Sequence, residues 1–522
     1  MSKYYSTLLN VLTPAFSNTY SMAFDGVDDF MSYSNSWFAP STPSQSTGNS
    51  VGSFSCWFKT SNWATSPFSL EGILSFTVGS QAKPLLWAMY RGNATQGNRY
   101  LRFYFRGSDG AGGTTGQEQF FVYDNASATY GGSGISFAND TWYHLALVFD
   151  KDATNRVTVY INGNQFLIPN TTTGSGTAGT RTISSGGLPH SLPYNPLSTG
   201  IYPSGEIACV RTSSTARTYH SPINLDELSL YDYALTSANV TSIYNGGVPN
   251  DVSSLSPIAW YRMGENGSWK SPQWLLPQET NKDKVSNYSF EFDGVDDVIT
   301  LDATFDATGG LTFSCWIKYT SASAGSLNWL CSNGGIGGSG SQFNIRLIAD
   351  GRWFMYFNGS PQDTGITGLN DGNWHHIAQT VNYSNGDVKF YKDGSESSTV
   401  LTWGSTYSTA ILKNIGGANN TPAYPYGGFV DELSVFESIV DIATLYNSGT
   451  PTTLPSGAVA HYKMGEDATF STNWTVPDAV GSNDGTSANM TIEDRVGEAP
   501  NSSNNSLSYN MDEVDREADV PS

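Results

Sequence analysis

The chain has 522 residues, enough for two or three domains that each bury a sizeable core. It is 38% hydrophobic and 13% aromatic but only 14% charged, with 54 Gly, a mixture that favours many short strands and turns over long salt-bridged helices. Lys+Arg 25 against Asp+Glu 46 give a net charge of −21, which argues against a nucleic-acid partner and against an anionic membrane.

In chain order, residues 1–19 read as an N-terminal arm. Met1–Leu9 lacks the long apolar core and small-residue cleavage site of a secretory signal. No apolar run reaches the roughly 18 residues a spanning helix needs, so neither self-export nor membrane insertion is expected. A first domain is expected over 20–265, a linker over 266–286, a second domain over 287–466 and a polar, acidic tail over 467–522. The division rests on an internal duplication. Phe24-Asp25-Gly26-Val27-Asp28-Asp29 returns as Phe292-Asp293-Gly294-Val295-Asp296-Asp297, and Phe54-Ser55-Cys56-Trp57 as Phe313-Ser314-Cys315-Trp316. Trp142-Tyr143-His144 returns as Trp374-His375-His376, and Asp226-Glu227-Leu228-Ser229 as Asp431-Glu432-Leu433-Ser434. Tyr261-Arg262-Met263-Gly264-Glu265 returns as Tyr462-Lys463-Met464-Gly465-Glu466. Blocks recurring in one order mark a tandem of one domain type, too long for a solenoid repeat.

Within each copy the pattern is that of strands. Trp142–Phe149 alternates two largely apolar faces, as a central sandwich strand does. Val157–Ile161 ends at Asn162-Gly163, Val388–Tyr391 runs to Asp393-Gly394, and Asp350-Gly351 separates two apolar runs. Each of these turns predicts a hairpin. One short helix per copy is expected, over 237–245 stopping at Gly246 and over 439–447 stopping near Gly449. The copies differ in loops: Trp57 to Trp142 spans 85 positions against 58 from Trp316 to Trp374. Thr171–Ser185 and Gly187–Ser204, rich in Gly, Ser, Thr and Pro, read as a long surface loop. Asn501–Ser522 reads as disordered alone, gaining order only against a neighbour. Cys56, Cys209, Cys315 and Cys331 show no metal spacing and read as buried thiols rather than disulfides.

The order FDGVDD, FS-small-W-x-K, W-x-H, Y-x-[ND]-G, DELS resembles the laminin-G-like branch of the concanavalin A-like lectin/glucanase superfamily, over Ser21–Asn245 and Ser289–Asn447. The resemblance implies an all-β fold of two antiparallel jelly-roll β-sandwiches in tandem, with surfaces that bind carbohydrate or protein. Ala259–Gly267, Ala460–Asp467, Pro477-Asp478 and Asn483-Asp484-Gly485-Thr486 resemble linkers of bacteriophage virion proteins, particularly those of marine phages. That likeness implies a virion protein assembled in the host cytoplasm, such as a capsid decoration, head fibre or tail appendage. Its partners would be other virion proteins, further copies of itself and a host-surface glycan. A receptor-binding adhesin is the first alternative; a glycoside hydrolase and a secreted bacterial lectin are the others.

Glycosidases that resemble laminarinases carry E-x-D-x-E on one strand, so that two carboxyls flank the scissile bond. No such segment occurs here, and the adjacent acids of Asp226-Glu227 and Asp431-Glu432 are expected on opposite faces of a strand, so no catalytic residue is expected. His144 and His376 read as structural. No cofactor is required, but structural calcium suits Asp25, Asp28 and Asp226 in the first copy and Asp293, Asp296 and Asp431 in the second. The competing reading is a tight turn whose carboxylate caps backbone amides. A glycan needs an aromatic plate beside amides or carboxylates. Trp63, Tyr194, Tyr202, Trp329, Trp403, Tyr407, Tyr424 and Tyr426 fall on expected loops and are the candidates, against packing as the competing role; Trp57, Trp142, Trp316 and Trp374 read as core.

Overall fold

The structure is a computed structural model. It describes residues 16–34, 51–61, 63, 71–78, 86–93, 98–107, 116–124, 135–150, 157–167, 173–176, 179–184, 203–211, 217–218, 220–320, 328–334, 343–357, 360–402, 409–418 and 424–522. The chain forms two compact units, one of Met1–Phe30, Asn35–Asn266 and Val514–Ser522, the other of Met31–Ser34 and Gly267–Glu513.

The second unit is an antiparallel sandwich, as the alternation of its strands requires. One sheet runs in the order Ser395–Thr402, Asp387–Lys392, His375–Asn382, Leu311–Lys318, Gly427–Phe436, Ser289–Asp293, Arg495–Val496. The other runs Ser360–Asp363, Trp353–Phe357, Ile345–Leu347, Asn328–Ser332, Thr409–Ile415, Val298–Asp306, Gly485–Ala488, Trp474–Val476, Thr469–Phe470. Every second residue of Leu311–Lys318 (Leu311, Phe313, Cys315, Ile317) meets Ile299, Leu301, Ala303 and Phe305 of the opposite sheet in one buried cluster. The outer face of the first sheet is covered as well, where Ala378 and Phe436 pack on Ile442 and Leu445 of the helix Ile442–Tyr446. Gly427–Phe436 is therefore enclosed on both faces, and its acidic pair goes inside with it.

The first unit repeats the plan, with Asn164–Leu167, Val157–Ile161, Tyr143–Asp150, Val51–Thr60, Pro222–Tyr231, Ser21–Asp25 and Arg516–Glu517 in one sheet. A second sheet runs Thr173–Gly176, Gly179–Ser184, Gly116–Tyr123, Asn98–Gly107, Leu86–Asn93, Glu71–Val78, Pro203–Ile207. Val240 and Ile243 of the helix Ser237–Tyr244 pack on Ala146, Val148 and Trp260. Both helices end on an asparagine in the left-handed region, Asn245 and Asn447. The second starts at Ile442, not at Ile439, because the Asp441 carboxylate accepts the Ala443 N–H and sets the N-terminus there. The expected hairpins are present: Asn162-Gly163 and Asp393-Gly394 hold φ of 50° and 73°, and 49° and 75°.

Two expectations fail. The Gly/Ser/Thr stretch at 171–185 contains the paired strands Thr173–Gly176 and Gly179–Ser184, the latter bonded to Gly116–Tyr123; residues 187–202 lie outside the described residues. The tail at 467–522 is an integral part of the sandwiches, and 501–522 is ordered. It holds a repeat the composition conceals: Ser487, Asn489, Met490, Asp494, Arg495 and Pro500 recur in register as Ser508, Asn510, Met511, Asp515, Arg516 and Pro521. Arg495–Val496 pairs with the edge strand Ser289–Asp293, and Arg516–Glu517 with the edge strand Ser21–Asp25. Ser487 Oγ accepts the Trp474 N–H at 2.8 Å, and Ser508 Oγ accepts the Trp274 N–H at 2.8 Å. Such short caps use the free backbone of an edge strand, so each needs few apolar residues of its own.

Candidate functional site

The acids of the DELS segment are not splayed across the sheet. The register of Pro222–Tyr231 against Val51–Thr60 shifts between Asp226 and Ser229, and Glu227 takes a φ of 49°; Glu432 takes 48° at the equivalent bulge. A left-handed residue breaks the pleat, which removes the reason for neighbouring acids to diverge. Asp226 and Glu227 converge with Glu265 so that one oxygen from each lies within 4.8 Å of the others. Asp226 is fully buried and Glu227 nearly so. Asn18 Nδ2 donates to Asp226 Oδ2 at 2.7 Å, while Trp260 Nε1 and Arg262 Nε donate to Glu227 at 2.6 and 3.1 Å. Glu265 Oε1 accepts the backbone N–H of Thr19 and, at 2.8 Å, of Tyr20. Asp226 Oδ1, Glu265 Oε2 and Asn18 Oδ1 are buried with no hydrogen-bond partner. Burial, reinforced by the charge of Glu227, lifts the Asp226 carboxyl well above the usual range.

In the second unit Ser286 Oγ donates to Asp431 Oδ2 at 2.7 Å and lies 3.0 Å from Glu466 Oε1. His461 Nε2 sits 3.1 Å from Glu432 Oε2. Burial, with the charge of Glu432, raises Glu466 to about 8.

The proposed calcium ligands are thus divided between two places. Asp25 pairs with Pro222, four residues along the strand from Asp226, or about 13 Å at ~3.3 Å per residue. The FDGVDD turns occupy their own carboxylates. Asp25 Oδ1 accepts the Val27 N–H at 2.7 Å and Asp29 Oδ2 the Asp25 N–H at 2.9 Å; Asp293 and Asp297 do the same for Val295 and Asp293. Asp25, Asp28 and Asp29 do cluster, as do Asp293, Asp296 and Asp297, but the turn accounts for the hydrogen-bonded geometry.

Of the aromatic candidates, Trp63, Trp329 and Tyr426 are buried and cannot present a plate. Trp63 stacks on Phe137 at 4.2 Å, and the Tyr426 hydroxyl donates to the Phe429 carbonyl. Trp63 and Tyr426 do lie outside the strands, with their rings turned inward, whereas Trp329 lies within the strand Asn328–Ser332 and not on a loop. Tyr424 is 37% exposed. Tyr194, Tyr202, Trp403 and Tyr407 lie outside the described residues. Trp142 and Trp374 are half-buried rather than core, and Trp142 Nε1 donates to Asp519. His144 and His376 each meet a serine hydroxyl at 2.7 Å, and burial holds them down at about 3 and about 4. All four cysteines are buried, and none of them forms a disulfide.

One open feature has the chemistry that the buried Trp63, Trp329 and Tyr426 lack. On the outer face of the second unit, a groove of about 310 Å³ is lined by Thr380, Asn382, Asn385, Asp387, Lys389, Tyr391 and Ile439. The alternation of Asp387–Lys392 sends Val388 and Phe390 to the core and leaves Lys389 and Tyr391 outside. Asn385 and Asp387 hydrogen-bond each other at 2.8 Å, and Lys389 pairs with Glu396 at 2.9 Å. The sequence held the signal, because the period of two that placed Phe390 inside also placed Tyr391 outside.

Residues 292–441 match the Laminin_G_3 family of the Concanavalin A-like lectin/glucanases superfamily. The rat Sushi, von Willebrand factor type A, EGF and pentraxin domain-containing protein 1 is 27% identical over 163 residues, and its mouse counterpart 26%. Those stretches are 30% of this chain and 4% of either relative, so the chain spans a small part of the curated proteins it matches. Among solved structures, a putative carbohydrate binding protein from Bacteroides ovatus is similar at 12% identity over 86% of this chain and 94% of that one, with a TM-score of 0.33. A SAP-like pentraxin from Limulus polyphemus is 15% identical over 38% and 94%, with a TM-score of 0.28. Domains LG4-5 of the mouse laminin alpha1 chain are 12% identical over 83% and 93%, with a TM-score of 0.24. The antiparallel all-β architecture and the family match over 292–441 agree on a laminin-G-like sandwich of the concanavalin A-like lectin type.

Proposed function

We propose that this chain is a non-enzymatic carbohydrate-binding protein displayed on a bacteriophage particle, as a capsid decoration, head fibre or tail appendage. The groove at Tyr391 carries the glycan half of this reading. A tyrosine ring offers a face for the apolar side of a pyranose, and Asn382, Asn385, Asp387 and Thr380 offer acceptors and donors for its hydroxyls. Its volume of about 310 Å³ suits one or two sugar residues rather than a long chain. The carboxyls that converge are Asp226 and Glu227, both buried, with the half-buried Glu265, a placement that supports a non-enzymatic reading. The particle half rests on the likeness of Tyr261–Glu265 and Tyr462–Glu466, with the segments that follow them, to phage virion linkers. Sister virion proteins and further copies of the chain are the proposed protein partners.

Glycan-array binding by the full-length protein and its Tyr391→Ala variant tests the groove, with the expectation that Tyr391→Ala abolishes the signal while the fold is kept. Binding unchanged by that substitution removes the groove from the reading. Labelled antibody on intact particles tests the location, and particles without label refute it.

A further inference from the structure

We propose that Asp226, Glu227 and Glu265 of the first unit, with the side-chain carbonyl of Asn18, form a site for a hard divalent cation, calcium fitting best. Three independent features point to an ion. The first is spacing: one oxygen from each acid lies within 4.8 Å of the others. That is twice a calcium–oxygen distance of about 2.4 Å, so all three fit in one coordination shell. The second is charge. Among the described residues, Glu227 alone of the three acids has a cationic partner, Arg262, at 3.1 Å. The remaining two negative charges equal one divalent cation. The third is unmet hydrogen bonding: Asp226 is 0% exposed yet its Oδ1 has no partner, and Glu265 Oε2 and Asn18 Oδ1 are also without one. Buried carboxylate oxygens ordinarily find donors or a metal. The donor set is oxygen only, which selects calcium or magnesium over zinc or copper, and the irregular arrangement favours calcium.

The second unit supplies a built-in contrast. Ser286 inserts a hydroxyl between Asp431 and Glu466, where the first unit has Asn18. His461 stands beside Glu432 where the first unit has Trp260. Asp431 Oδ1 and Glu466 Oε2 are buried without a partner there as well, but among the described residues the bulge acids and the following glutamate converge within 4.8 Å in the first unit and not in the second, so the cation site is assigned to the first unit. A bound ion there would fasten the entering segment at 18–20, the strand bulge and the Glu265 loop together. The site is structural and independent of the glycan groove.

The test uses the full-length chain stripped of divalent ions with a chelator and titrated with terbium under tryptophan excitation. Trp260, which donates to Glu227 at 2.6 Å, is the sensitiser. Sensitised emission that calcium competes away is expected, weakened at least about tenfold in Asp226→Asn and Glu265→Gln, as loss of a ligand requires. Asp25→Asn and Asp431→Asn should keep it. Calcium should also raise the thermal midpoint of the wild-type protein, which keeps the proposal testable should a variant misfold. No emission and no midpoint rise with millimolar calcium, magnesium or manganese overturns the site. Emission that survives both acid variants, or that Asp25→Asn abolishes, also overturns it.

Discussion

Replacing Arg495 by alanine should be among the costliest single changes to the second unit. Arg495 is wholly buried, and its guanidinium holds four acceptors. Gln273 Oε1 receives Nε at 3.0 Å and Nη2 at 2.7 Å; the carbonyls of Ala468, Gly465 and Lys270 receive donors at 3.0, 3.3 and 3.3 Å. The group also lies 4.7 Å from the Trp474 ring. Burial lowers its pKa to about 10, so it remains charged at neutral pH. Removing it leaves those acceptors facing a cavity, at about 1–3 kcal/mol for each one that water cannot reach. Part of that is offset because a buried charge no longer has to be desolvated. The net is about 3–5 kcal/mol, or roughly 6–20 °C in the midpoint of a domain this size at ~2–4 °C per kcal/mol. Urea unfolding followed by tryptophan fluorescence reads it directly. Lysine, which keeps the charge without the fork, should fall between wild type and alanine. An alanine variant within about 1 kcal/mol of wild type would show that the tail cap is decorative and that this reading of 467–513 is wrong.

Removing Val514–Ser522 should expose the edge of Ser21–Asp25, losing the Arg516–Glu517 pairing, the Lys59–Asp519 ion pair and the Trp142–Asp519 bond; lower stability and a rise in aggregate by light scattering are expected. Gly465→Ala places a Cβ 2.5 Å from the Tyr288 backbone, and Gly264→Ala one 2.3 Å from Tyr20 Cβ, so each should cost about 1–3 kcal/mol or more by chemical denaturation. In divalent-free buffer, pH acts on the second unit from both sides. Glu466 has a folded pKa of about 8, raised by burial from 4.5, so its contribution is full below pH 4.5 and is lost as pH rises to 8. His376 has a folded pKa of about 4, lowered by burial from 6.5, so stability is lost as pH falls from 6.5 to 4. The two oppose each other between 4.5 and 6.5, and above 6.5 the acid's effect remains, joined by that of Asp297, raised to about 7 by burial. Glu466→Gln should therefore flatten the fall between pH 6.5 and 8 in a series of melting curves, and an unchanged slope would count against a protonated Glu466.

The parts of the fold legible in the sequence were those with a local signature. Tyr143–Asp150 alternates two apolar faces, Asn162-Gly163 tolerates positive φ, and the helices end on asparagines beside glycine, so all three were readable without tertiary information. The bulge was not. Glutamate has no local preference for the left-handed region, and only the packing around DELS forces Glu227 and Glu432 into it. The tail was misread for a related reason: its caps are two to four residues long, below the length at which periodicity carries information. Three aromatic candidates, Trp63, Trp329 and Tyr426, proved buried because composition locates a segment but not the direction of a ring. Trp63 and Tyr426 turned inward, whereas Tyr391, on a strand, lies on the outer face of its sheet, half-buried beside the helix Ile442–Tyr446.

The two copies also differ in what surrounds their buried acids, a difference that favours a structural role for them. In the second unit Ser434 Oγ lies 2.9 Å from His461 Nδ1, and His461 Nε2 lies 3.1 Å from Glu432. Serine, histidine and an acid in line invite a hydrolase reading. Yet Ser434 is 2% exposed and His461 0%, so no substrate carbonyl can approach within bonding distance of the hydroxyl. The first unit, built on the same strands, replaces the histidine with Trp260 and holds Glu227 through its indole and Arg262. A catalytic set would need the histidine in any copy that works. Here the element kept in both copies is the buried acid at the bulge, and the element that varies is the residue set beside it, Trp260 with Arg262 for Glu227 and His461 for Glu432. That is the pattern of a fold solving one burial problem twice by different means, and it moves the search for ligand contact to the outward-facing side chains of the sheets.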